Sequence, residues 1–151
     1  MSNATNSGHC YCGAVRFEVS GDPIWIGHCH CDSCRRASGS VMTTLASYNT
    51  DQVKFTGTLP VSGANHPSGD GVIRSFCGKC GSPVAYGPNG NVINLQLGLF
   101  NDPLQLKPQK HFFYDNKVNW LKADEHLPNK YVWTSQGSTP SPHSIQCFCY
   151  L

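Results

Sequence analysis

Residues 28–36 read His-Cys-His-Cys-Asp-Ser-Cys-Arg-Arg, which crowds Cys29, Cys31 and Cys34 together. Thiolates are soft ligands, and cysteines at such spacing hold zinc. On an extended backbone, residues two apart face the same way. Cys29 and Cys31 can therefore reach one ion, and the C-x-x-C of Cys31 and Cys34 turns a third sulfur onto it. Two further elements carry the same chemistry. Cys10 and Cys12 form a C-x-C pair, and Cys77-Gly-Lys-Cys80-Gly81 has the form of a zinc knuckle. In that knuckle Gly81 tolerates positive φ and frees its N–H to face a sulfur. Cys10, Cys12, Cys77 and Cys80 make a closed set of four, a structural zinc that would staple the start of the domain to a distant hairpin, with iron or a redox dithiol as the alternatives. Cys29, Cys31 and Cys34 remain as a set of three.

A zinc with three protein ligands keeps its fourth position for water or substrate, as catalytic sites do. Three thiolates leave such a centre with a net negative charge, a poor Lewis acid that still favours a soft incoming thiolate. Zinc lowers the pKa of a bound thiol, and a thiolate attacks an electrophilic carbon such as an aldehyde carbonyl. The competing reading closes the site with a fourth protein ligand. His28 and His30 alternate with the cysteines and face away on a straight strand, but a bend would bring one round. His9, His66, His111, Cys147 and Cys149 are more remote candidates. With both zincs closed, the chain would be a non-catalytic zinc-binding interaction module.

Arg35 and Arg36 follow the third cysteine and are candidates to bind a substrate carboxylate, with a solvated or internally paired arginine as the plainer role. Arg74 is a weaker candidate of the same kind. His28 and His30 are candidates for a proton shuttle, or for hydrogen bonds that orient the cysteine loop. Gly39 and Ser40 shape the turn after the site. Phe112, Phe113, Tyr114 and Trp120 read as core, and His111 as a structural histidine. Asp124 and Glu125 are carboxylates with no supporting motif. The Cys-Phe-Cys at 147–149 is an inert tail or a donor to the open zinc of its own or a neighbouring chain.

The elements that must position these groups are mostly strands. Ala14–Val19 alternates with Val15, Phe17 and Val19 on one face, and 41–48, 52–57, 71–76 and 92–100 follow in similar style, separated by Gly and Pro turns. Short helices are expected only at 32–39 and 116–123. The fold class is all-β, with short helical connections. Residues 8–133 form one domain, and 134–151 a polar tail rich in Ser, Thr, Pro and Gln.

The 151 residues suit a single domain. Charged residues are 13%, against about 25% in ordinary domains, and net charge is only +2. That balance argues against a nucleic-acid partner. No run approaches the roughly 18 apolar residues of a membrane span, and the N-terminal residues lack the pattern of a secretory signal. A cytoplasmic protein with no membrane partner is expected. There a disulfide framework is disfavoured, and nine cysteines, an odd number, point to metal. The oligomeric state stays open, a homo-oligomer included.

The ordered set GHCYCGAVRFEV, HCHCDSCRRASGS and RSFCGKCGSPVAY, with the downstream block GLFNDPLQLKPQKHFFYDNKVNWLKADEHLP, resembles the glutathione-dependent formaldehyde-activating enzyme family, also called the centromere protein V domain family. The resemblance spans about residues 8–131. Where that family has Asp-Asp-Pro, this chain has Asn101-Asp102-Pro103. The resemblance implies small antiparallel sheets around zinc, of the β-tent type. It implies two zincs per chain, a structural one on Cys10, Cys12, Cys77 and Cys80 and a catalytic one on Cys29, Cys31 and Cys34. The implied activity is a carbon–sulfur lyase reaction, glutathione plus formaldehyde giving S-hydroxymethylglutathione, or a related small thiol and aldehyde.

Overall fold

The structure is a computed structural model, and it describes residues 5–63, 72–122 and 125–130. The described residues begin with β1 (Thr5–His9), β2 (Arg16–Ser20) and β3 (Trp25–Cys29), then α1 (Asp32–Ser38), the one α-helix among them. After it come β4 (Thr43–Asn49), β5 (Val53–Phe55), β6 (Val61–Ser62) and β7 (Arg74–Phe76). The remaining strands are β8 (Pro83–Asn89), β9 (Val92–Gln96), β10 (Lys110–Phe112) and β11 (Asn129–Lys130). One sheet has the order β1-β2-β5, and the larger has the order β11-β10-β3-β4-β9-β8-β7-β6.

The expected all-β class holds. Alternation over 14–19 works as the sequence predicts: Val15, just before β2, and Phe17 and Val19 within it are each about 1% exposed and seat the small sheet on the main core. Pairing is antiparallel except at one edge, where β10 runs parallel to both β3 and β11. Parallel neighbours need a long connection, and the chain between β3 and β10 supplies one. No alternating run marks a strand as short as β10, so sequence reading passed over it. β1 carries no alternating apolar run either; its backbone pairs with β2 along all five residues.

The helix expected at 32–39 forms as α1, ended by Gly39 at φ 66° in the left-handed region. The helix expected at 116–123 does not form over its described residues, 116–122. A single 3-10 turn covers Tyr114–Asn116, and Lys117 is already extended. Asn116, Val118 and Asn119 are weak helix formers, and this segment has no apolar stripe to bury. Trp120, expected in the core, is 71% exposed. Phe112 is buried as expected, while Phe113 and Tyr114 are half-buried.

The larger sheet separates two apolar clusters. Ile26, Ala46, Tyr48, Ile93 and Leu95 pack with the small sheet and with Cys10 and Cys77. Trp25, Leu45, Val72, Tyr86 and Phe112 pack around Cys29, Cys31 and Cys34. Each cysteine group thus sits in its own cluster.

Candidate metal centres and their surroundings

Cys10 and Cys12 lie on the turn between β1 and β2, and Cys77 and Cys80 on the turn between β7 and β8. Their four sulfurs lie within 4.8 Å of one another. Cys10 Sγ is 3.6 Å from Cys12 Sγ, which is 3.9 Å from Cys77 Sγ. A tetrahedral zinc with Zn–S bonds near 2.3 Å places its sulfurs about 3.8 Å apart, so the donor set fits that ion. The Val15 N–H points at Cys10 Sγ from 3.3 Å, and the Tyr11 N–H donates to Ser82 Oγ, tying the two turns together. Gly81 has φ +75°. Its N–H, expected to face a sulfur, instead donates to the Cys77 carbonyl at 2.8 Å and closes the knuckle on itself.

Without a metal these thiols divide. Hydrogen bonds from the Ser82 hydroxyl and backbone, then from the Cys12 backbone, pull Cys80 down to about 5. At Cys12 the Ala14 backbone favours the thiolate, but desolvation and the sulfurs of Cys10, Cys80 and Cys77 outweigh it and hold the thiol up at about 11.

The second group is built by the end of β3 and the start of α1. Cys29, Cys31 and Cys34 also bring their sulfurs within 4.8 Å of one another, and among the described residues no histidine, carboxylate or further cysteine joins them. Cys29 Sγ is 3.5 Å from Cys31 Sγ. All three are at most 2% exposed. Cys31 is also the N-cap of α1: its backbone is extended, and its sulfur accepts the Cys34 N–H at 3.3 Å. Candidate metal ligand and helix start are therefore one residue. None of the seven described cysteines is in a disulfide. Both groups could hold a metal ion.

The histidines beside this group are engaged with protein. His28 Nδ1 lies 2.9 Å from Thr44 Oγ1. His30 Nε2 lies 2.9 Å from His111 Nδ1, which the parallel register of β10 with β3 brings alongside. Tyr114 packs on both of these rings. Burial, then the charges of His111, His28 and Lys117, push His30 down to about 4, so its ring is neutral at physiological pH. Arg35 and Arg36 both pair with Asp32, at 3.1 and 2.8 Å, on the outer face of α1. His9 hydrogen-bonds the Cys10 carbonyl. Arg74 lies across the sheet with its guanidinium 5.3 Å from the Tyr86 ring centroid. Glu125 is exposed. His66, Asp124, Cys147 and Cys149 lie outside the described residues.

Sequence reading missed Thr43, Tyr86 and Gln96, which share the cluster side of the sheet with Cys29. No motif marks them. Only the register of β4, β8 and β9 against β3 places them there.

A mixed β domain in which the seven described cysteines gather into one group of four and one of three is a thiolate-rich protein with two places that could hold a metal ion. The glutathione-dependent formaldehyde-activating enzyme family matches residues 5–116. The chain belongs to that family. It is 29% identical over 130 residues to a curated protein of Halomonas elongata named "putative glutathione-dependent formaldehyde-activating enzyme", covering 78% of this chain and 80% of that one. A crystal structure of a Rhodobacter sphaeroides protein superposes with a TM-score of 0.51 at 19% identity, over 66% of this chain and 94% of that one, and shares the fold. Among the described residues no helix is long and apolar enough to cross a membrane.

Proposed function

We propose that the chain is a zinc-dependent enzyme that joins a small thiol to an aldehyde. Glutathione and formaldehyde, giving S-hydroxymethylglutathione, are the pair its family suggests. The sulfur bonds to the aldehyde carbon, and the thiol's proton ends on the oxygen, so the reverse reaction is a carbon–sulfur lyase step. The observation that carries this reading is the grouping of seven sulfurs into four and three. Cys10, Cys12, Cys77 and Cys80 would hold a structural zinc with a full set of ligands. Cys29, Cys31 and Cys34 would hold a second zinc with a position to spare. A zinc there supplies a soft acceptor that keeps a thiol ionised at neutral pH.

The chain's own residues shape that position. The clustered Trp25, Leu45, Val72 and Phe112 exclude water around the three cysteines. His28 and His30, through Thr44 and His111, support orientation of the cysteine loop more directly than proton transfer. Arg35, 30% exposed, would take a glutathione carboxylate in preference to Arg36, which is 73% exposed and further into solvent; both are already paired with Asp32.

Formaldehyde consumption is measured with and without glutathione for the wild type and Cys31→Ser, with zinc counted by elemental analysis. Two zincs per chain and a thiol-dependent rate lost in the variant are expected. No acceleration by the wild type with any thiol would refute the reading.

A further inference from the structure

Residues directly opposite one another in a sheet share a face. Cys29 pairs with Thr43 on β4, Leu45 with Gln96 on β9, Asn94 with Tyr86 on β8, and Tyr86 with Arg74 on β7. One face therefore runs from the three-cysteine group through Thr43, Gln96 and Tyr86. It is buried: Tyr86 is 1% exposed, Thr43 4% and Gln96 9%. Buried polar atoms are almost always hydrogen-bonded. Here Tyr86 Oη and Gln96 Nε2 make no well-aligned hydrogen bond, although Gln96 and Thr43 lie within reach of the Tyr86 hydroxyl.

The rest of the arrangement fixes these two groups in place. Thr43 Oγ1 donates to Gln96 Oε1 at 2.8 Å, which commits the amide oxygen and leaves the amide N–H groups unused. The Arg74 guanidinium lies over the Tyr86 ring. Tyr86 packs in the same cluster as Cys34, and the polar side chains acting on its hydroxyl are those of Gln96 and Thr43. A phenol of ordinary pKa near 10 is a donor at neutral pH, and burial raises this one further.

We propose that Tyr86 Oη and Gln96 Nε2 are hydrogen-bond donors for the oxygen of a small carbonyl substrate lying beside Cys29, Cys31 and Cys34. This deepens the thiol–aldehyde reading and rests on it. When the thiol sulfur bonds to the carbonyl carbon, the C=O π pair moves onto the oxygen, and the two donors on this face would stabilise the charge that develops there. The proton given up by the thiol returns to that oxygen, and neither Tyr86 nor Gln96 changes its own protonation. Two donors suit an oxygen on a one-carbon fragment, and the close burial selects a small aldehyde over a bulky one. Thr43 is a positioning residue, acting through Gln96.

The test compares zinc-loaded wild type and Tyr86→Phe in three measurements: steady-state kinetics with glutathione and formaldehyde, glutathione binding by calorimetry, and thermal unfolding. Removing one such donor is expected to lower kcat about 100-fold or more, with glutathione binding unchanged. The Tm is expected to hold or rise, because the lost hydroxyl was unpaired and buried. Gln96→Met should repeat the fall in kcat. An undiminished kcat in Tyr86→Phe overturns the inference. So does a fall in kcat accompanied by a lowered Tm, which marks a structural hydrogen bond, or weaker glutathione binding with kcat intact. A wild type that does not accelerate the reaction removes the thiol–aldehyde reading and this inference with it. An active wild type with indifferent variants removes the inference alone.

Discussion

His30 Nε2 and His111 Nδ1 meet at 2.9 Å where neither residue is exposed, and they bridge the cysteine loop to β10. One ring nitrogen must donate and the other accept, so the pair holds a fixed tautomer at each ring. Replacing His111 by Ala leaves a buried nitrogen of His30 without its partner, which costs about 1–3 kcal/mol. Urea unfolding of His111→Ala should show that loss as a lower midpoint at unchanged slope. His111→Gln, whose amide can still pair, should recover part of it. A His111→Ala protein as stable as the wild type would mean the bridge contributes nothing.

Cys31 allows metal binding to be separated from folding. Its sulfur caps α1 by accepting the Cys34 N–H, and it belongs to the three-cysteine group. Serine is among the best N-cap residues but a hard, weak ligand for zinc. Cys31→Ser should keep α1, lose one zinc per chain and lose thiol-dependent turnover. Cys31→Ala should lose the cap as well, at a further cost of about 0.5–2 kcal/mol. Elemental analysis and thermal unfolding of the two variants side by side check this. Equal stability of the serine and alanine proteins would dismiss the capping role.

The cysteine groups were legible because spacing alone decides which sulfurs share a face, and strand alternation likewise gave β2 and its buried Val15, Phe17 and Val19. What escaped depends on contacts remote in sequence. β10 is three residues long and exists because β3 offers a free edge, so no local pattern announces it. Trp120 was misjudged because large aromatic rings are usually buried, yet the expected helix that would have carried it inward has no apolar partner. Tyr86 and Gln96 carry no motif, and their importance lies in two unpaired atoms on one sheet face, visible only once register is known.

Metal removal should expose an unequal set of thiols at the four-cysteine site. Cys80 is pulled down to about 5 by Ser82 and the Cys12 backbone, whereas Cys12 stands at about 11. The thiolate is the form that alkylates. At pH 7 in chelator, iodoacetamide should therefore modify Cys80 well before Cys12, although Cys12 is the more exposed of the two. Acidification below about pH 5 should slow modification of Cys80, as its thiolate takes up a proton. Ser82→Ala should raise the pH at which Cys80 becomes reactive. Peptide mapping by mass spectrometry reads all three outcomes, and preferential labelling of Cys12 would contradict the assignment.

Gly27 sets the closeness of β10 to β3, the strand that ends at Cys29 of the three-cysteine group. A Cβ at this position would fall 2.9 Å from the Lys110 carbonyl oxygen and 2.9 Å from Phe112 Cε2. The carbonyl is backbone and cannot swing away, so Gly27→Ala must push β10 outward. Overpacking of this kind costs about 1–3 kcal/mol, and in a chain of this size each kcal/mol lowers Tm by about 2–4 °C. The displacement also acts on the site. β10 carries His111, which holds His30, and Phe112, which packs on Trp25 with ring centroids 4.7 Å apart. Gly27→Ala should therefore lower kcat together with Tm while leaving the four-cysteine site loaded, because that site lies on the turns after β1 and β7. Calorimetry, kinetics and a zinc count on this one variant test the coupling. A lowered Tm with full turnover would show that the three-cysteine group keeps its geometry without the support of β10.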